Sequence, residues 1–541
     1  MRLPLWLALL ATAATPSVAQ KAEPKRLSDD VRTLASPEFG GRAPGTPGER
    51  KTLDWLVARF RALKLAPGGP DGQWLQKVPL VHTRIAPTVA MTAGSIALVQ
   101  GKDVAVTTVR ADPRIAISGS DMVFVGYGVA APEARWDDFK GMDLRGKTLV
   151  FLVNDPDFEA QAGDDATGRF GDRRMTYYGR WTYKFEEAAR RGAAAALIVH
   201  ETAGAGYPWS TANASNGENY DIVRTAADPR VPLQGWLDRD AAKRLFAGAG
   251  LDLDALRKQA RSAAFRPVPM KLAFSAEGDV AVERIESANV LAKIPGATRP
   301  DETVMFAAHW DAYGDGPPDA AGKTLRPGAN DDALGTAGVV ELARLLKGSK
   351  PERTLVFALW TGEERGLLGS EHYANHPVFP LAKTAANLTL DILQTAGPAK
   401  DVILVGAGNS TLDTLLADAA RAQGRAISPE TFSERGLFYR ADHFSVVRRG
   451  VPSTLLMALG GAPDLVAGGK PAGQAWLDGY MACYHKTCDA WAPDWNFTGA
   501  ADDVDLFRSM GESLSHAGQW PTWSNGSEFR TVREESAAQR R

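Results

Sequence analysis

Residues 303–311 read TVMFAAHWD. Val304 to Ala308 form an unbroken apolar run that ends on His309, with Asp311 two places on. A short continuous apolar run is what a strand buried on both faces shows. Polar groups just past such a strand lie where open α/β sheets build their sites.

The pattern recurs along the C-terminal half. NVLAKIPG (289–296), RTLVFALWTGEE (353–364), TAANLTLDI (384–392), DVILVG (401–406) and PSTLLMAL (452–459) predict further strands. Between them GTAGVVELARLL (335–346), LLGSEHYANH (367–376) and STLDTLLADAARAQG (410–424) predict helices. Strands alternating with amphipathic helices imply an α/β architecture, a largely parallel or mixed sheet covered on both faces.

Polar residues fall at the strand ends. Asp331 and Asp332 sit in RPGANDDALG before a helix, Glu363 and Glu364 follow LVFALWTG, and Asp391 ends NLTLD. One such acid is commonly a helix cap and one histidine is usually structural; a set placed after successive strands points to a metal centre. Imidazole and carboxylate suit zinc, and a carboxylate can bridge two ions. Two ions need two histidines, a bridging acid and one further acid apiece. His309, Asp331, Glu364 and Asp391 supply four of the five. Of the eight histidines, His443 in YRADHFSVV and His485 in CYHKTCDAW remain as the fifth, and spacing does not choose between them.

Upstream, the opening MRLPLWLALLATAATPSVAQ has Arg2, an apolar run from Leu3 to Leu10 and a Ser17-Val18-Ala19 ending. This predicts a secretory signal peptide over residues 1–19 and a mature protein in a periplasmic or extracellular space. The run is too short for a membrane span. An oxidising compartment favours a Cys483–Cys488 bridge, between the only two cysteines, over a thiolate metal site. Lys plus Arg (62) nearly balance Asp plus Glu (64), which gives no electrostatic case for nucleic acid or an anionic membrane surface.

A chain of 541 residues exceeds what one core usually organises. A helix is predicted through Leu53, Leu56, Phe60 and Leu63, after a glycine-proline turn from Gly40 to Gly48 that reads equally as surface punctuation. MVFVGYGVAAP, KTLVFLVNDP, AAAALIVHE and RVPLQGWL predict short strands of a separate, strand-rich unit, with the helical WTYKFEEAARRG before the third. The expected division is an N-terminal part of the main domain over 20–115, the inserted unit over 116–275, the main domain over 276–525 and a polar tail over 526–541. Asp164 and Asp165 follow Asp157 in a loop where a calcium ion is conceivable, but the spacing is not an EF-hand and a solvated loop is the expectation.

The ordered set LASPEFGGRAPGT, HWD, PGANDD, TGEE, LD, ADHF and CYHKTCD resembles the M28 family of zinc aminopeptidases, in its secreted bacterial form with an inserted protease-associated domain. The resemblance covers nearly the whole mature chain. It implies a three-layer zinc-exopeptidase fold with a mostly parallel mixed sheet, a β-rich insertion acting as lid or substrate-selecting wall, and two Zn2+ per chain. It chooses His485 as the fifth ligand, and pairs His309 with Asp391 and Glu364 with His485 across a bridging Asp331. It further implies Glu363 as general base, Tyr484 as oxyanion donor, Asp311 as the residue orienting His309, and Asp442 and His443 as pocket or supporting residues. By composition alone, Phe438, Tyr439 and Phe444 read either as an apolar specificity pocket or equally as core residues. The Cys483–Cys488 bridge would frame Tyr484 and His485. Peptides with a free N-terminus are the implied substrates. Carboxypeptidases, dipeptidases, glutaminyl cyclases and receptor-like binding proteins share the fold; the last would be expected to lack ligands or the base, and all are present here.

Overall fold

The computed structural model describes residues 20–225 and 228–540. The expected leader, residues 1–19, lies outside the described residues. Helix α1 (Pro24–Leu34) buries Leu27, Val31 and Leu34, one stripe at helical spacing. Helix α2 (Pro47–Ala62) begins with Thr46 as its cap and Pro47 in its first turn, and buries Leu56 and Phe60. Strand β1 (Leu75–Ile85) follows.

The next stretch builds the inserted unit: β2 (Ala90–Ala93), β3 (Val104–Thr107), β4 (Arg114–Phe124), β5 (Thr148–Leu152), helix α3 (Trp181–Arg190), β6 (Ala195–Val199), β7 (Glu218–Ile222) and β8 (Leu233–Leu237). Strands β4, β5, β6 and β8 run parallel, with β3 antiparallel at the edge. Alternation along β5 sends Val150 and Leu152 into one core and Leu149 and Phe151 into another. Helix α3 covers the second core with Phe185, Ala188 and Ala189, and the helix Arg239–Gly248 covers the first with Leu245 and Phe246. The unit is therefore a layered α/β body more than a purely strand-rich one.

Strand β9 (Val268–Ile294) then passes through both halves of the molecule. Its first part pairs with β2 and β4, and its second with β1 and, further on, β11 (Arg353–Trp360). The expected boundaries shift accordingly: β2 and β3 belong to the insertion's sheet, and position 275/276 falls inside one continuous strand. Its middle, VERIES, is mostly polar and exposed and lacks the apolar run that marks the other strands.

The main sheet is completed by β10 (Arg299–His309), β12 (Thr384–Leu390) and β13 (Ser453–Leu456), in the order β13-β12-β10-β11-β9, the first four parallel. Along β10, Val304, Phe306 and Ala308 enter one core while Met305 and Ala307 enter the other. Both faces are thus apolar, which accounts for the unbroken run in TVMFAA. Helices α4 (Gly335–Leu346) and α7 (Thr498–His516), with α1 and α2, cover the first face, and α5 (Leu368–Asn375) contributes Tyr373 and Ala374 to the second. Helix α6 (Gly469–Cys483) ends beside the sheet's C-terminal edge.

The C-terminal segment is not a loose polar tail. Phe529 is buried against Phe444, and Arg533 is buried within a last helix, Arg530–Glu535. No helix among the described residues is long and apolar enough to cross a membrane.

Candidate metal centre

Three parallel-strand ends and one loop converge beyond the C-terminal end of the sheet. β10 ends on His309, β12 is followed at once by Asp391, and β11 runs into Gly362, whose positive φ of 63° turns the chain so that Glu363 and Glu364 face back. Asp331 lies in the loop before α4, joined to Asp332 by a cis peptide bond. Asp332 accepts the Gly335 N–H at 2.8 Å and so caps α4, and Asn330 Oδ1 accepts the Leu393 N–H at 3.2 Å; both fix the loop.

Two ligand groups result. His309, Asp331 and Asp391 each place one donor atom within 4.8 Å of the others, as do Asp331, Glu364 and His485. Asp331 belongs to both: its Oδ1 lies 3.1 Å from His309 Nε2 and its Oδ2 3.2 Å from His485 Nε2. Glu364 Oε2 is 3.3 Å from the same His485 nitrogen. His309 Nδ1 donates to the Asp311 carbonyl at 3.1 Å, which turns Nε2 toward Asp331. Asp311 thus orients His309 mainly through its backbone, while its carboxylate Oδ1 accepts the Glu363 N–H at 3.1 Å.

The fit of these residues to divalent ions can be tested on their electrostatics. Burial, with Asp331 as a further negative neighbour, pushes Asp391 up to about 8, and its Oδ1 is buried without a hydrogen-bond partner. Burial likewise holds Glu363 and Glu364 well above the usual carboxylate range, reinforced at Glu363 by Asp391 and Asp442 and at Glu364 by Asp331. Burial opposes ionisation of Asp331 too, but the hydrogen bonds from His309 and His485 hold it low. Unpaired buried carboxylates are costly. A nitrogen and oxygen donor set of this kind, compensated by zinc, removes that cost. The residues fit the ions.

His443 is excluded from this set. It is buried against the Phe438 ring, 4.8 Å between centroids, and burial pushes it down to about 3. Asp442 is buried and raised to about 7 by that burial, close enough to raise Glu363 in turn. Tyr439 does not reach the site, contrary to the expectation from sequence: its hydroxyl donates to Glu528 at 3.1 Å inside a core that also holds Phe438 and Phe444. The cleft beside Asp331, Glu363 and Asp391 is instead lined by Leu437, Met457 and Leu459, with Arg440 and Tyr484. Aromatic composition pointed at the right segment and the wrong side chains, because the short turns around it bury the rings and present their neighbours.

Tyr484 caps the end of α6, its ring 3.6 Å from that of His485, and a disulfide joins Cys483 to Cys488 around the pair. His485 adopts a φ of 60°, a left-handed conformation unusual for a residue with a side chain. Its Nδ1 is hydrogen-bonded to the Tyr313 hydroxyl at 3.1 Å. Asp164 and Asp165, by contrast, are engaged with Arg261 and with Ser262 and Ala263, and among the described residues no ligand group forms there.

Three supporting residues were not found from sequence. Arg42, fully buried, donates to the carbonyls of Leu34, Trp310, Pro327 and Gly328, tying the HWD and PGAND loops together. The glycine-proline turn that carries it is therefore a scaffold and not surface punctuation. Asp489 accepts the amides of Asn330 and Asp331, and Tyr313 holds His485. Their nearness in sequence to Cys488 and Asp311 was the only available signal.

Residues 289–506 match Peptidase family M28. A probable zinc metalloprotease of Pyrenophora teres f. teres (strain 0-1) is 38% identical over 104 residues, covering 19% of this chain and 22% of that protein. An aminopeptidase of Pseudomonas aeruginosa (strain UCBPP-PA14) is 29% identical over 227 residues, 39% of this chain and 38% of the relative. The chain spans well under half the length of these relatives. The solved aminopeptidase from Aneurinibacillus sp. strain AM-1 shares the fold, with a TM-score of 0.50 and 19% identity over 93% of this chain and 96% of that one. Both ligand groups lie inside the segment that matches this family.

Proposed function

We propose that the protein is a secreted, dinuclear zinc aminopeptidase that removes residues from the free N-terminus of peptides. The observation that carries this reading is the pair of ligand groups sharing Asp331, with the Glu363 carboxylate beside them. His309 and Asp391 would hold one ion, Glu364 and His485 the other, with Asp331 between them. Zinc held there supplies Lewis acidity, polarising the scissile carbonyl and making water a nucleophile at neutral pH.

The chain's own groups then divide the work. Glu363 Oε2 lies 3.9 Å from His309 Nε2, near the ligands but in neither group, as a base must. Fixed by the Asp311 carboxylate at its backbone, it takes the proton of the attacking water and returns it to the leaving amine. Tyr484, on the cleft wall, donates its hydroxyl proton in a hydrogen bond to the developing oxyanion. Leu437, Met457 and Leu459 form an apolar wall for the side chain of the first residue, and the acidic floor favours a substrate ammonium group over a carboxylate. The insertion takes the place of a protease-associated domain, a wall beside the cleft.

The experiment is a zinc determination on purified protein paired with peptide hydrolysis before and after chelation, using peptides with free and acetylated N-termini and mass spectrometry of the products. Two zinc ions and chelator-sensitive release of N-terminal residues from free peptides alone are expected. Zinc-free protein, or trimming from the C-terminus, would overturn the reading.

A further inference from the structure

Strand β7 lies within the insertion's stretch of sequence, yet it pairs with β1 of the main sheet and not with the insertion's own strands. Tyr220 on β7 stands opposite His82 on β1, their rings stacked at 4.2 Å and 5°. His82 is itself held by Glu218 at 2.7 Å and Glu283 at 3.2 Å. The Arg365 guanidinium lies 4.7 Å from the Tyr220 ring centroid and 5.0 Å from that of Tyr313. Tyr313 in turn hydrogen-bonds His485. A continuous column of rings and one cation therefore runs from the insertion's arm to a metal ligand.

Among the described residues Arg365 makes no ion pair, and its guanidinium lies over the two rings. It directly follows Glu364, in a turn flanked by Gly362 at φ 63° and Gly366 at φ 117°. Main-chain hydrogen bonds close the turn, Gly366 N–H to the Glu363 carbonyl at 2.8 Å and Leu367 N–H to the same carbonyl at 2.9 Å, and the Arg365 side chain adds the contact that joins it to the insertion's arm. The arm is also fastened independently: Ile222 packs with Leu368, and Arg224 bridges Asp221 and, at 3.5 Å, Glu371 of α5.

We propose that Tyr220, supplied by the insertion, and Arg365 are positioning residues for the Asp331–Glu364–His485 half of the centre. Arg365, clamped between Tyr220 and Tyr313, fixes the turn that carries Glu364 and backs the tyrosine that orients His485. With His485 Nε2 on the ion, its Nδ1–H donates to the Tyr313 oxygen, the kind of outer contact whose loss weakens metal binding. The insertion thereby completes one metal site and leaves the other to the main domain.

This inference rests on the dinuclear zinc reading, and the test separates the two. Zinc is titrated against a chromogenic chelator in the full-length wild type and in Tyr220→Ala, Tyr220→Phe, Arg365→Met and the Tyr220→Ala/Arg365→Met double variant, with thermal midpoints measured alongside. Tyr220→Ala and Arg365→Met should each weaken one of the two ions on the order of tenfold and spare the other. Tyr220→Phe, which keeps the ring, should bind as wild type, and the double variant should be little worse than either single one. Two ions bound unchanged in folded Tyr220→Ala and Arg365→Met would overturn the proposal alone. Equal weakening of both ions, unrescued by phenylalanine, would reduce Tyr220 to a general structural role and overturn it too. A wild type that takes up no zinc would end the metallopeptidase reading itself.

Discussion

Asp489 holds Asp331 from behind: its Oδ2 accepts the Asp331 amide at 3.1 Å while its Oδ1 accepts that of Asn330 at 2.9 Å. Asp489 follows Cys488, so one short disulfide-closed segment both presents His485 and seats the acid shared by the two ligand groups. The local geometry of Cys483 to Asp489 thus sets the distance between Asp331 and His485, and that distance decides whether the second group can close.

Asp489→Ala leaves two buried amides without an acceptor, at about 1–3 kcal/mol each. The variant should unfold at lower urea concentration and bind both ions more weakly, because Asp331 serves both. Asp489→Asn retains an acceptor oxygen and should fall between. Urea midpoints and zinc competition measure this; wild-type zinc affinity in Asp489→Ala would show that the loop is held by other contacts.

The bridge itself closes only five residues. Chain entropy assigns so short a loop about 2 kcal/mol of stability. Its larger effect should be local, since His485 sits at a φ of 60° that an open chain would rarely keep. Cys483→Ser/Cys488→Ser is expected to lose a modest amount of stability but a greater factor in kcat. Parallel denaturation and kinetics would reveal it, and turnover equal to wild type would show the frame to be dispensable.

The C-terminal half was legible because its strands are buried on both faces. Each then carries a continuous apolar run, and the residue that breaks the run marks where the site begins, as at His309 and Asp391. β9 was not legible: Glu283 to Ser287 are polar apart from Ile285, with neither an apolar run nor an alternation, so nothing in the sequence says that one strand crosses from one body to the other. The ligands announced themselves by residue type, whereas Arg42, Tyr313 and Asp489 act through backbone carbonyls, a ring edge and two amides. Such partners exist only once the loops have met.

In the proposed mechanism Glu363 separates chemistry from binding. It belongs to neither ligand group, and its amide is held by Asp311 regardless of its side chain. Glu363→Gln should therefore retain two zinc ions while kcat falls by a factor on the order of 10²–10⁴, the usual worth of a general base. Glu364→Gln should instead lose an ion. Metal analysis beside steady-state kinetics distinguishes the two, and near-normal turnover by Glu363→Gln would move the base elsewhere.

Within the insertion, Asp138 is expected to make stability depend on pH. Its carboxylate accepts the Val129 N–H at 2.9 Å and the Trp136 indole N–H at 2.7 Å, and it is almost completely buried. Burial dominates and pushes it from 3.8 up to about 7, with the Val129 and Trp136 hydrogen bonds, then Lys184 and Lys140, only partly opposing. The folded carboxyl binds its proton more tightly than the unfolded one, so this contribution is complete below about pH 4 and is lost as the pH rises through 7. Asp155, at about 8, and Asp157, at about 6, shift in the same direction, while buried Lys184, lowered to about 8, acts only on the alkaline side. Asp138→Asn imitates the protonated form at every pH. Thermal midpoints of the wild type should fall between pH 5 and pH 7.5 by about 5 °C more than those of Asp138→Asn. Identical pH slopes in the two proteins would mean that Asp138 keeps its charge in the folded state.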